Sequence, residues 1–278
     1  MFNFRSSLAL IIALAASAVM ASPLNVTSPK NSAPTTSNTT VVDNKGVISV
    51  FWHVITANDT REGGNLPVSL LYDQVKDLNH LYRDTGFSFV LAEYGYHRNE
   101  DWFNENDPTR TMMYEWQTKT PFTPKEKAEG LETKEFYDLN VYTRNIPNPL
   151  ILGDSPFAAE GFIDRTDGVH IDYIATTPGA VTLAHEVGHW MGLLHVFEFE
   201  CENEGDGLTD TLMQKVPPQS IIMSCEPRVA CNGTTFLPNN VMDYAGDDCA
   251  REFTPQQRAL MRENMIKLRH FKPGPVFN

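Results

Sequence analysis

Cysteine is missing from the first 200 residues: Cys201, Cys225, Cys231 and Cys249 all fall in the last third of the 278-residue chain. Basic residues are scarce as well. Lys and Arg number 22 against 35 Asp and Glu, a formal net charge of -13. Affinity for nucleic acid rests on Lys and Arg neutralising phosphates, so a nucleic-acid partner is excluded. The acidity reads as solvation of a secreted protein. Long apolar runs are also absent. Residues 8–19 are continuously apolar or small, short of the about 20 residues that span a bilayer. Arg5 precedes that run and Val19-Met20-Ala21 follows it. Residues 1–21 therefore read as a signal peptide rather than a membrane anchor, and the mature protein is expected outside the cell. No internal repeat is visible.

An even cysteine count behind a secretory signal implies disulfides, with three pairings open. Asn25, Asn38, Asn58 and Asn232 stand in Asn-x-Ser/Thr sequons and are candidate glycosylation sites in that compartment. Residues 22–45 are rich in Ser, Thr, Asn and Pro and read as a flexible leader or pro-segment. The remainder, 46–278, is one domain. The whole chain is 41% hydrophobic and 10% aromatic, which suits a packed core.

Order begins near Val47. The run VISVFWHVIT (47–56) is apolar, β-branched and aromatic, a buried strand. A helix follows, with Ser69 as candidate N-cap, Leu71, Val75, Leu78 and Tyr82 at helical spacing, and Gly86 as its stop. Residues 87–96, 139–143 and 168–173 are further strands. Residues 153–163 read as an edge strand or a loop. Residues 182–191 are helical and end at Gly192. Residues 200–250 are loop-rich. A final helix starts at Thr254-Pro255-Gln256-Gln257, a capping-box pattern, with Leu260, Met261, Met265 and Leu268 as its apolar face. This order predicts one α+β domain with two lobes.

The chemistry lies in HEVGHWMGLLH, 185–195. His185 and His189 are four apart, one turn above each other on a helix face, where two imidazoles reach one zinc at about 2.0–2.1 Å. Glu186 lies beside the first of them, placed to take a proton from water. On a continued helix His195 would lie roughly 9 Å further along the axis. Gly192 resolves this, because glycine takes a left-handed turn that ends a helix and lets the chain double back. Three histidines leave a fourth zinc position open, the mark of a catalytic rather than a structural site. His53, His80, His97, His170 and His270 lack ligand spacing and are set aside.

With these residues the chain resembles the metzincins, whose zinc signature is HExxHxxGxxH. Asn240-Val241-Met242-Asp243-Tyr244 fits their methionine turn. FWHVI (51–55), LNHLYRDTGFSF (78–89), LNVYT (139–143), DGVHID (167–172), VMDYAGDDC (241–249) and FTPQQRALM (253–261) narrow the resemblance to the pappalysin family, and to secreted fungal extracellular metalloproteases within it. The resemblance covers roughly residues 47–270. It implies a two-lobe α+β zinc endopeptidase with a mixed twisted sheet, an active-site helix, and an irregular disulfide-bonded lower lobe closed by a C-terminal helix. It implies one zinc per chain on His185, His189 and His195, with Glu186 as general base. Met242 would form the floor under the metal and Tyr244 would donate to the oxyanion. Asp248 would line a pocket favouring basic side chains after the scissile bond. The implied disulfides are Cys201–Cys231 and Cys225–Cys249. Residues 153–163 would be an edge strand against which extended protein or peptide substrates pair. With no cysteine before residue 201, a propeptide thiol cannot cap the metal.

Two departures from the family stand out. Phe197-Glu198-Phe199-Glu200 fills a place where the family carries glycines, and Leu212 follows Asp210-Thr211 where the family has proline. Both are expected to bear on subsite shape and calcium rather than on the zinc chemistry. Glu202, Glu204, Asp206 and Asp210 are candidate calcium ligands, set against the plainer reading of a solvated acidic loop. A secreted binding protein that has lost turnover and a zinc hydrolase of another bond are the rival readings. The intact Glu186 speaks against the first, and the edge stretch against the second.

Overall fold

The computed structural model describes residues 46–104, 139–156, 167–202, 204–269, 271 and 273–275. Its centre is a five-stranded sheet in the order β2-β1-β3-β5-β4. Strand β1 is Val47–Thr56, with the bounds expected from sequence. Its alternate residues Ile48, Val50, Trp52 and Val54 point into the core. Strands β2 (Ser88–Arg98) and β3 (Leu139–Arg144) pair with it in parallel, and β5 (Val169–Asp172) continues the parallel set beyond β3. The short β4 (Gly153–Asp154) closes the edge antiparallel to β5, so the sheet is mixed. Of the 153–163 stretch, Gly153–Asp154 is strand; residues 157–163 lie outside the described residues.

Helix α1 (Val68–Leu81) buries Leu71, Val75 and Leu78 against the sheet. Ser69 lies inside it. Pro67 occupies the N-cap instead, and its fixed φ suits helix entry. The helix also ends before Gly86. Tyr82 caps it, the Thr85 hydroxyl donates to the Tyr82 carbonyl at 2.6 Å, and Gly86 turns the chain into β2 at φ +83°. A five-residue helix α2 (Glu100–Asn104) follows β2 and was not foreseen.

Between helix α3 (Thr182–Trp190) and the last helix the described residues are irregular except for a ribbon of β6 (Arg228–Val229) and β7 (Thr235–Phe236). Cys201 pairs with Cys231 and Cys225 with Cys249, as the resemblance implied. The last helix, α4 (Pro255–Arg269), opens on a complete capping box. Gln257 N–H donates to Thr254 Oγ1 at 3.2 Å and Thr254 N–H donates to Gln257 Oε1 at 2.9 Å. Met261 and Met265 are buried, but Leu268 is 38% exposed. The helix is turned so that Arg269 faces inward. Its guanidinium grips Asp167 with two bonds of 2.6 and 2.7 Å and lies 3.7 Å over the Trp190 ring. One hydrophobic cluster runs through both halves, from Ile48 and Leu71 through Val187 and Trp190 to Met242, Met261 and Met265. That continuity fixes α3 between the sheet and the irregular half.

Candidate active site

Helix α3 carries His185, Glu186 and His189, all buried. It stops for a local reason. Gly192, at φ +89°, donates to the His189 carbonyl at 2.8 Å, and Leu193 N–H donates to the Gly188 carbonyl at 2.9 Å. These are the two bonds of a Schellman ending. Asn264 of α4 seals the end by donating to the Met191 carbonyl at 3.1 Å. A Cβ on Gly192 would lie 2.4 Å from that amide, so two constraints demand glycine there.

The reversal brings His195 back to the helix. His189 Nε2 stands 3.1 Å from His185 Nε2 and 3.1 Å from His195 Nε2. Partners fix two tautomers. His185 Nδ1 lies 2.7 Å from the Val241 carbonyl oxygen, and His189 Nδ1 lies 2.8 Å from that of Leu193. A carbonyl oxygen only accepts, so each Nδ1 carries hydrogen and each Nε2 presents a lone pair. Facing lone pairs at this distance repel unless a cation lies between them. Protons do not serve: burial, and then the neighbouring imidazoles, hold His185 well below the ordinary range and His189 at about 3. A tetrahedral zinc with bonds of about 2.0–2.1 Å would set its nitrogens roughly 3.3 Å apart, so the donor set fits that ion. Among the described residues this triad is the one His, Cys, Asp or Glu group able to hold a metal.

Glu186 is 6% exposed and lies under the edge strand. A Cβ on Gly153 would come within 2.7 Å of Glu186 Cγ and 2.9 Å of Oε1, so the strand approaches this closely only because residue 153 is glycine. Burial, and then the Asp154 carboxylate, push the Glu186 carboxyl well above its ordinary range.

The turn at Val241–Met242 braces the triad. The Val241 carbonyl receives the His185 Nδ1–H, and the Met242 carbonyl receives Val196 N–H at 3.2 Å. Met242 is fully buried, its thioether against Gly188. Arg228 fixes the turn, donating to Asp243 at 2.7 Å and to the Tyr244 carbonyl at 2.8 Å. The Tyr244 ring lies 4.9 Å from that of His195 and 5.9 Å from that of His185. Burial, and then Glu186, raise its pKa, so the hydroxyl keeps its proton near neutrality.

Sequence reasoning missed three contacts of α3 and of the triad. Gly153, against Glu186, is one. Asp247 is another: its Oδ1 accepts the N–H of Val181, at the start of α3, at 2.9 Å. The third is the segment set apart as remote from the zinc chemistry. Phe197 stacks on His195 at 4.7 Å, and Glu198 Oε2 lies 3.4 Å from His195 Nδ1. No local pattern marks the first two contacts, because they join distant parts of the chain. The third was within reach, since Glu198 is three residues from a predicted ligand. Asp248 is exposed beside Cys249. Asp206 accepts from the Thr211 hydroxyl and Leu208 N–H, and Asp210 from Gln256 N–H. Asn58 and Asn232 are exposed; Asn25, Asn38 and His270 lie outside the described residues.

Residues 160–266 match the peptidase family described as pregnancy-associated plasma protein-A. An extracellular metalloprotease of Verticillium alfalfae is 31% identical over 229 residues, covering 76% of this chain and 73% of the relative. The chain belongs to the pappalysin family. It is thus a zinc metalloendopeptidase, and a second pappalysin relative, the extracellular metalloprotease of Pyricularia oryzae, is 29% identical over 236 residues, 80% of this chain and 76% of its own. The fold of this pappalysin is that of the metzincins. Mature mirolysin of Tannerella forsythia, in complex with a cleaved peptide, superposes with a TM-score of 0.59 at 19% identity, over 84% of this chain and 100% of that one. A promirolysin mutant gives 0.60 at 21% identity, over 84% and 88%.

Proposed function

We propose that this pappalysin is a secreted endopeptidase in which His185, His189 and His195 hold one zinc and Glu186 is the general base. The observation that carries this reading is the convergence of three Nε2 atoms, two of them fixed as lone pairs, beside a buried carboxylate. A zinc ion bound there lowers the pKa of water and polarises a carbonyl. Glu186 takes the proton of the attacking water and passes it to the leaving amine. The Tyr244 hydroxyl donates to the oxygen that gains charge. Met242 floors the site. The outer side of β4, last in the strand order, receives an extended peptide by strand addition close to Glu186. Asp248 favours basic side chains after the scissile bond.

Residues 1–21 act as the signal peptide, 22–45 as leader or pro-segment, and 46–278 as the catalytic domain. Two disulfides and relatives named as extracellular support export. Among the described residues no helix is long and apolar enough to cross a membrane. Asn58 and Asn232, exposed in their sequons, carry glycan in that setting.

Purified protein cleaves casein, a chelator stops it, and Glu186→Ala abolishes cleavage while zinc stays bound. Folded, zinc-loaded wild-type protein inert towards a broad peptide library overturns the proposal.

A further inference from the structure

We infer that Glu198 is a positioning residue for the third zinc ligand, setting the orientation and the metal affinity of His195. The inference rests on the ligand reading above. It begins with an asymmetry: His185 and His189 each give their Nδ1–H to a backbone carbonyl, at 2.7 and 2.8 Å, whereas His195 Nδ1 faces a carboxylate, Glu198 Oε2, at 3.4 Å. His195 is also the one ligand outside α3, on a chain already past its helix end, so helix geometry does not orient its ring. Two neighbours supply what the helix does not. Phe197 stacks on one face of the ring, with planes 10° apart, and Glu198 holds the Nδ1 edge. A carboxylate on the outer nitrogen fixes the Nδ1–H tautomer, turns the Nε2 lone pair towards His189, and makes that nitrogen a stronger donor to a cation.

The local backbone holds Glu198 there. Glu198 N–H donates to the His195 carbonyl at 2.9 Å, closing a turn. The next two residues, Phe199 and Glu200, take left-handed φ of 56° and 51° although neither is glycine. Side chains of L-residues resist that conformation, so the turn is retained against a local cost.

The test is zinc affinity, read by competition with a chromogenic chelator on the full-length protein. Glu198→Ala weakens zinc binding about 10–100-fold, the range for loss of an outer partner of a ligand histidine. Glu198→Gln, which keeps an acceptor and loses the charge, falls between wild type and Glu198→Ala, and Glu226→Ala, an exposed acid elsewhere in the irregular half, leaves affinity unchanged. In the cobalt-substituted protein the d–d absorption bands shift for Glu198→Ala and not for Glu226→Ala. Zinc affinity of Glu198→Ala and Glu198→Gln within twofold of a tightly binding wild type overturns the inference alone. A wild type that takes up no zinc overturns the ligand reading, and this inference with it.

Discussion

His185 Nδ1 and the Val241 carbonyl oxygen are 2.7 Å apart, which ties the first histidine of the zinc signature to the residue preceding Met242. Fifty-six positions of chain separate them. The bond fixes the tautomer of His185 and the position of the Val241–Met242 turn together, so disturbance of one reaches the other.

Gly188 and Met242 pack against each other in that arrangement. A Cβ on residue 188 would fall 2.3 Å from the Met242 Sδ. Gly188→Ala is expected to destabilise the protein by about 1–3 kcal/mol through overpacking. Adding Met242→Ala to Gly188→Ala recovers part of that loss in a double-mutant cycle. Thermal unfolding of the four proteins measures the coupling, and strictly additive changes argue against the contact.

Arg269 and Asp167 form a buried pair that joins the end of α4 to the segment before β5. Arg269→Met removes one partner of this buried pair, at an expected cost of about 3–5 kcal/mol. Replacing both, with Asp167→Leu, costs less than the single change. Denaturant titration checks this, and a double variant no more stable than the single one counts against it.

Metal removal reads out the lone-pair argument. Zinc bound to the folded chain alone stabilises it by about 2.7 kcal/mol at 100 times its Kd. For a domain of this size that amounts to roughly 5–10 °C in Tm. Chelator-treated protein should regain Tm progressively as zinc is returned, and His189→Ala should show no such rise. A Tm independent of zinc is incompatible with ligation by the triad.

Tyr244→Phe removes a hydroxyl whose raised pKa keeps it a donor. Loss of one oxyanion donor costs about 10²–10³ in kcat, with KM little changed because the substrate carbonyl carries less charge before attack. Steady-state kinetics on a peptide substrate separate the two constants, and an effect confined to KM would assign Tyr244 to binding.

Acid sensitivity follows from the sheet histidines. Burial lowers His53 to about 4 from 6.5, and His97 beside it also to about 4. A base with a depressed folded pKa is protonated first in the unfolded chain. The unfolded state therefore binds more protons between pH 6.5 and 4, and stability rises with pH across that window. Acidification from pH 7 to 5 should lower Tm, with each histidine contributing up to about 1.4 kcal/mol per pH unit. His53→Gln should flatten the fall when zinc is saturating in both proteins. An unchanged slope in scanning calorimetry removes His53 from the account.

The sequence by itself determined whatever a short stretch can encode. β1, the capping box of α4, the glycine ending of α3 and the spacing of the two helical histidines are set by side-chain periodicity and backbone freedom within about a dozen residues, and each was legible. Resemblance carried the cysteine pairing, which spacing leaves open. Tertiary structure alone decided the rest. Ser69 reads as a cap, but the chain path into α1 gives that place to Pro67. Leu268 reads as core, but the stronger demand of a buried Arg269–Asp167 pair turns the helix past it. Gly153 beside Glu186, and Asp247 at the start of α3, reach their partners from segments far apart in the chain. Their contacts form only when one continuous core draws sheet, helix and loops together, and periodicity along the chain carries no record of which distant backbone will arrive beside a given side chain.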